Sequence, residues 1–437
     1  MKKVTTALAF SICLGSASVS VLADPPVAPF YESVIKMTPN GKLGQVIKKE
    51  QVKTSIQGAQ AWRIAYISSD VNDKKTIATG LIVAPTGPGP KEGRPIMSWG
   101  HGTTGTAQNC GPSQVLNPAE PLNEYYLVGG NSWTDYGIPS LQEFINEGYV
   151  VTATDYQGLG GGGRHQYVVA ATNGMDMINA ARAAASLKEL NAGKKTIVYG
   201  WSQGGGAVIA ATSLPQYLAR QGTAADNLQL IGGVALAPQD VAIVMPGATA
   251  NEAIAQKSLT NTLGMFTDNV FNFTHMAMGM WGTQAANPQL KMSDLFTDDG
   301  VKVLNEVFSN KCMHAGADTL NFNYGANYKS LLKDQPDNSL EWTKAMIKAS
   351  VNPVPPVAPV VIYWGTKDTT NPPVMGKLYQ EQMCKLGGNV NRVQLPGEQS
   401  HFTTPGSSKP FYIQWIKDRL AGKPAENNCA IAATLGS

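Results

Sequence analysis

Apolar positions in this chain fall into short runs separated by polar or Gly-rich segments. Two runs, "AWRIAYISSD" and "KTIATGLIVAP", flank a polar turn around Asn72 and Asp73 and predict an antiparallel hairpin. "RPIMSWGHGTTG" and "GYVVTATDYQGLG" each predict an apolar strand that ends in a loop, and "KTIVYG" and "NLQLIGGVALAP" predict two more. Between them, "NGMDMINAARAAASLKEL" predicts a helix with Met177, Ala180, Ala181, Ala184 and Leu187 on one face. Short apolar strands alternating with helices predict a mostly parallel sheet covered on both faces. The alternation stops near Asp240, and residues 240–350 contain helix-like pieces and no clean strand. It resumes after the Pro-rich "VNPVPPVAP" with a strand in "VVIYW", a helix in "PVMGKLYQEQMCKLG", a strand in "VNRVQLP" and a helix in "FYIQWIKDRLAG". Residues 24–60 are polar and without period. The predicted organisation is a core of residues 24–239 and 351–437, interrupted by a helical cap or lid over 240–350.

Composition narrows the setting. The chain has 437 residues, 43% of them hydrophobic and 15% charged, which suffices for a large core. A formal net charge of +3, without a Lys/Arg cluster, argues against a nucleic-acid surface. The N-terminus has Lys2 and Lys3, a small-residue apolar stretch, and Val21-Leu22-Ala23 before Asp24, so residues 1–23 read as a signal peptide. No other stretch reaches the ~18 apolar residues of a membrane span. The expected location is secreted or periplasmic. Beyond Cys13 there remain Cys110, Cys312, Cys384 and Cys429, an even number that in an exported protein suggests two disulfides with three pairings open.

The chemistry centres on "YGWSQGGG". Gly200 to Gly204 match G-x-S-x-G between an apolar strand and a helix, the context in which Ser202 becomes a candidate nucleophile. A serine needs a base, and the base an orienting carboxylate. His275, His314 and His401 follow Ser202, and the first two lie in the cap. His401, in "GEQSHFTTP", lies between the last strand and the last helix and is the candidate base. Asp368 directly follows the strand in "VVIYWGTKD", where carboxyl ends of parallel strands face a site, and is favoured over Asp334 and Asp337 in the cap. The backbone N–H groups of Gln203 and Thr103 are the candidate oxyanion donors, with the Thr103 or Thr104 hydroxyl as added help. His101 is assigned to fixing its loop. The run Gly158–Gly163 contains G-x-G-x-x-G, but "RHQYVVAATN" separates it from the helix, so it reads as a loop beside the cleft and not as a nucleotide site. No metal or organic cofactor is expected. "MFTDNVFNFTHMAMGMW" (265–281) is expected to line an acyl pocket, with Phe273 and Met278 as its representatives, and in part to meet a lipid–water interface.

"HGTTGTAQNCGPS", "GYVVTATDYQGLG", "YGWSQGGGA", "VIYWGTKDTTNPP" and "SHFTT", in this order, resemble the secretory lipase family of α/β-hydrolases, the group of the fungal lipase A type. The resemblance covers roughly residues 60–420. It implies an α/β-hydrolase fold with a helical cap, an exported carboxylic-ester hydrolase acting on an ester or lipid substrate, and a triad at Ser202, Asp368 and His401. It also implies the disulfides Cys110–Cys312 and Cys384–Cys429. Two other functions fit less well: a peptidase or amidase on the same triad, and a non-catalytic binding protein of this fold.

Overall fold

A computed structural model describes residues 29–115, 124–127, 131–134, 137–245 and 247–432. The signal peptide expected over residues 1–23 lies outside them.

The strands are β1 (Val46–Val52), β2 (Ala59–Ser69), β3 (Lys75–Pro85), β4 (Arg94–Gly100), β5 (Glu124–Leu127), β6 (Asn131–Thr134), β7 (Val150–Gln157), β8 (Ala192–Trp201), β9 (Gln229–Leu236), β10 (Val360–Trp364) and β11 (Val390–Gln394). Nine of them form one sheet in the order β1-β2-β3-β7-β4-β8-β9-β10-β11, while β5 and β6 pair separately. The predicted hairpin is β2–β3, with Ala59 opposite Pro85 and Ser69 opposite Lys75. It joins β7 antiparallel, and from β7 to β11 every pairing is parallel. The sheet is therefore mixed at one edge and parallel where the chemistry lies.

Alternate residues of each strand enter two separate cores. Ile96, Val150, Val198 and Ile362 belong to one, and Met97, Val151, Ile197 and Val361 to the other. Helices cover both faces because neither set of side chains is stable in water. The first core is covered by α3 (Ala170–Ser186), α4 (Gln203–Thr212) and α11 (Val374–Lys385), and the second by α2 (Leu141–Asn146) and α12 (Thr404–Leu420). Helix α3 is Ala-rich because it is buried almost all round. A Cβ at Gly174 would lie 2.8 Å from the Ala211 nitrogen of α4. Two elements depart from the sequence pattern. The segment 24–60 holds α1 (Pro29–Ile35) and β1, whose Lys48, Lys49 and Glu50 fit a charged edge strand without alternation. Helix α12 begins at Thr404, ahead of the predicted "FYIQWIKDRLAG", and runs through Pro410.

Between β9 and β10 the sheet is interrupted by an insertion with no strand among its described residues. Its long helices are α6 (Glu252–Met265), α7 (Val270–Ala286), α8 (Asp298–Asn310), α9 (Met313–Tyr324) and α10 (Ser339–Ala349), while α5 (Pro215–Leu218) precedes it and α13 (Cys429–Ala432) ends the described chain. Among the described residues no helix is long and apolar enough to cross a membrane. Cys110, after β4, is bonded to Cys312 at the start of α9, and beside the bond Met313 N–H donates to Thr104 O at 2.8 Å. Cys384 of α11 is bonded to Cys429 and holds the C-terminal segment.

The Cys110–Cys312 bond spans 202 residues of sequence, so its loss releases a large loop in the unfolded chain. The double variant Cys110→Ser/Cys312→Ser is expected to lose roughly 2–5 kcal/mol of stability, read as a lower Tm. Non-reducing peptide mapping of the parent should recover Cys110 joined to Cys312; Cys110 joined to Cys384 would contradict the chain path.

Candidate active site

Strand β8 ends at Trp201 and α4 starts at Gln203, leaving one residue to turn the chain. Ser202 does so with φ 59° and ψ −115°, a left-handed conformation that a side chain adopts at a cost. Three bonds hold it: Ser202 N–H to Leu236 O at 2.9 Å, and Gly206 N–H (3.0 Å) and Gln239 N–H (3.2 Å) to Ser202 O. The turn is possible because its neighbours lack side chains. A Cβ at Gly204 would lie 1.9 Å from Gly100 O of β4, and one at Gly200 would lie 2.5 Å from Gly204 O.

His401 comes from the loop between β11 and α12, and Asp368 from the loop after β10. The Ser202 hydroxyl lies 2.9 Å from His401 Nε2, and His401 Nδ1 lies 2.8 Å from Asp368 Oδ2. Asp368 as acceptor fixes the tautomer: Nδ1–H donates to it, and Nε2 accepts from serine. The other carboxylate oxygen accepts from Thr370 N–H (3.0 Å) and Asn371 N–H (2.8 Å). The Trp201 indole N–H donates to His401 O at 3.1 Å and its ring lies 5.0 Å from the imidazole, so the loop is held from below. Ser202, Asp368 and His401 are all buried. The competing Asp337 is paired with Lys333 at 2.7 Å, exposed and on the insertion.

Gln203 opens α4, so its backbone N–H has no acceptor inside the helix. Thr103 lines a small cleft with Ser202 and His401, and its hydroxyl lies 2.6 Å from Tyr167 OH. His101 points away from the reaction: Nδ1 bonds Gly102 O (2.6 Å), Nε2 lies 3.3 Å from Asp155 O, and burial pushes its pKa down to about 4.

Sequence reasoning missed His165 and Tyr167. The Gly158–Gly163 run does not open a helix. Gly161 packs so closely on β3 that a Cβ would lie 2.1 Å from Ile77 O, and the chain then delivers His165 and Tyr167 to the site. His165 Nδ1–H donates to Gln157 O (2.7 Å), and Nε2 accepts from the Gln203 amide at 3.0 Å, which also donates to Asn173 Oδ1 at 3.2 Å. The side chain next to the serine is thus fixed from behind. The following residue, Val168, has φ 52°, unusual for a β-branched side chain.

A cavity with about 770 Å³ of space between its walls and mouth runs from Ser202 under the insertion. Phe266, Met276, Met280 and Met346 supply apolar wall. The expected wall residues Phe273 and Met278 are not on it. Phe273 packs its ring 5.2 Å from Tyr328 inside the insertion, and Met278 is buried on the opposite side of α7. The helix is apolar nearly all round, so composition gave no sign of which face meets the cavity; Asn272, Met276, Gly279, Met280 and Thr283 do.

The parallel strands, the glycine-flanked turn and the buried Ser–His–Asp chain define an α/β-hydrolase of the serine type. The secretory lipase family model matches residues 131–428, and the chain belongs to that family. It is 22% identical to Lipase 9 of Candida albicans over 94% of this chain and 86% of that one. It is 23% identical to the secreted triacylglycerol lipase LIP5 of Malassezia globosa over 92% and 81%. The fold matches Candida antarctica lipase A with a TM-score of 0.66 at 18% identity, over 93% of this chain and 89% of that one. The protein is an exported carboxylic-ester hydrolase of the lipase and esterase class.

The buried histidines make a pH prediction. Burial pushes His165 down to about 3, against an unfolded value of about 6.5. The unfolded chain therefore binds more protons between these values, and the stability held by neutral His165 is full above about pH 6.5 and lost as pH falls toward 3. His101 acts in the same direction. Asp155 and Asp176, which burial raises to about 6 and about 7, act in the opposite direction, so the His165 contribution is read as a difference: on acidification from pH 7 to 4.5 the Tm of His165→Gln should rise relative to that of the parent. Parallel Tm–pH curves would contradict the assignment.

Proposed function

We propose that Ser202, His401 and Asp368 hydrolyse the ester through an acyl-enzyme. Ser202 Oγ attacks the carbonyl carbon while its proton passes to His401 Nε2. Asp368 stabilises the imidazolium that forms. The carbonyl oxygen takes up the electron pair and accepts from the N–H groups of Gln203 and Thr103. On collapse the alcohol leaves with the proton from Nε2. Water then gives a proton to His401, attacks the acyl carbon, and releases the acid and free Ser202. The carrying observation is the unbroken buried chain from Ser202 Oγ to His401 to Asp368, at 2.9 and 2.8 Å.

Residues 240–350 act in this reading as a cap over the acyl chain. The cavity under them supports it, with Phe266, Met276 and Met280 as the apolar wall. The cap also turns Ile254, Met265 and Phe322 to solvent, the last 90% exposed, side chains suited to entering a lipid surface.

Ser202→Ala should lower kcat by on the order of 10⁴-fold or more with the fold intact, because nucleophile and base act as a unit. Asp368→Asn should lower it on the order of 10⁴-fold through the wrong imidazole tautomer; a greater loss from Asp337→Asn would move the acid elsewhere.

The cavity wall makes a separate prediction. Met276→Ser and Met280→Ser should shift kcat/KM from laurate toward butyrate esters, at about 1 kcal/mol for each lost methylene contact. Met278→Ser should instead lower Tm and scale both esters together. A chain-length shift from Met278→Ser alone would reverse the assignment of the two faces of α7.

A further inference from the structure

The larger cavity is not uniformly apolar. Most polar side chains on its wall are already satisfied: Asp240 by the Ser350 hydroxyl at 2.6 Å, Asn272 by Asp268 at 2.8 Å, and Asn371 by Ala237 O at 2.9 Å. Two are not. Gln239 follows β9, is only 8% exposed, and is fixed beside the serine because its backbone N–H donates to Ser202 O. Its side-chain amide has no hydrogen-bond partner among the described residues, and it lines the cavity that contains Ser202. His275 lies on the α7 face toward the same cavity and also borders the small cleft with Ser202 and His401. Its Nδ1 lies 3.0 Å from Phe271 O, and a carbonyl only accepts, so Nδ1 carries the hydrogen and Nε2 keeps a bare lone pair. Burial, with smaller contributions from His401 and His314, pushes its pKa down to about 4, so that lone pair persists at neutral pH. Nε2 has no protein donor among the described residues.

An amide and an imidazole nitrogen that face a cavity without a protein partner are satisfied there by water or ligand. A saturated acyl chain offers neither a donor nor an acceptor. A hydroxyl offers both: its proton to the imidazole nitrogen, its lone pair to the amide N–H.

We propose that Gln239 and His275 form a polar subsite beside Ser202, selecting esters of short hydroxyacyl groups, with the hydroxyl near the ester carbonyl, over unsubstituted acyl esters. This rests on the reading of Ser202 as nucleophile and names the acyl class that its cavity takes. The hydroxyl belongs to the acyl side because Gln239 lines the cavity under the insertion and not the smaller cleft. The remaining wall, with Phe266, Met276 and Met280, holds the methylene groups around it.

The test compares kcat/KM for 3-hydroxybutyrate and butyrate esters of one alcohol, each normalised to its hydroxide-catalysed rate. The parent should favour the hydroxyacyl ester about tenfold or more, since a site built for a hydroxyl discriminates against the analogue lacking it. Gln239→Leu and His275→Leu should each reduce that ratio by about tenfold, with Gln239→Met as a second, unbranched replacement. A parent ratio at or below one, which needs no variant to fold, would overturn the proposal. So would an unchanged ratio in the variants. In either case loss of butyrate turnover in Ser202→Ala would leave the nucleophile reading standing; survival of turnover in Ser202→Ala would overturn both.

Discussion

The site depends on one close approach of backbone to backbone. Where β8 becomes α4, the chain passes so near β4 that no side chain fits at Gly204 against Gly100 O. That contact lets α4 start directly above the parallel strands, and it leaves Ser202 in a left-handed turn with its hydroxyl beside the carboxyl ends of the sheet. The strain is local and over-determined. Leu236, Gly206 and Gln239 all bond the Ser202 backbone, so the turn is tied to β9 as well as to its own helix. The loops after β10 and β11 then need only reach the same edge to bring Asp368 and His401 within hydrogen-bond distance.

Around this turn the supporting histidines are neutral and fixed. His101 and His165 are buried and hydrogen-bonded to backbone carbonyls, which holds the loop after β4 and the Gln203 side chain without adding charge. Asp368 is the carboxylate in contact with the imidazole, and two backbone N–H groups hold it in place. The insertion adds an apolar roof from α7 and is joined to the β4 loop by the Cys110–Cys312 bond. Roof and β4 loop are therefore covalently linked.

Much of this was legible in the sequence wherever a physical constraint acts on neighbouring residues. The strands of the parallel sheet show as apolar runs because both faces are covered. Ser202, Asp368 and His401 could be singled out because each sits in a loop whose place relative to a strand or helix is set by the fold. What escaped was set by tertiary packing. Strand β1 lies at the sheet edge, where alternation is not required. The face of α7 toward the cavity could not be separated from its buried back, since both are apolar, and Phe273 and Met278 were misplaced for that reason. Gln239, His165 and Tyr167 gave no local signal, because only the folded chain brings them beside Ser202. The clue for His165 and Tyr167 was positional: they follow a Gly-rich loop too long to be a simple turn.

The central claim is that the strained turn makes Ser202 the one nucleophile of the enzyme. Labelling the folded protein with a fluorophosphonate, followed by peptide mass spectrometry, tests it directly. The account predicts a single stoichiometric adduct on the peptide carrying Ser202, formed together with loss of esterase activity and absent after denaturation. Inactivation with the adduct on another residue, or full labelling with activity retained, would contradict it.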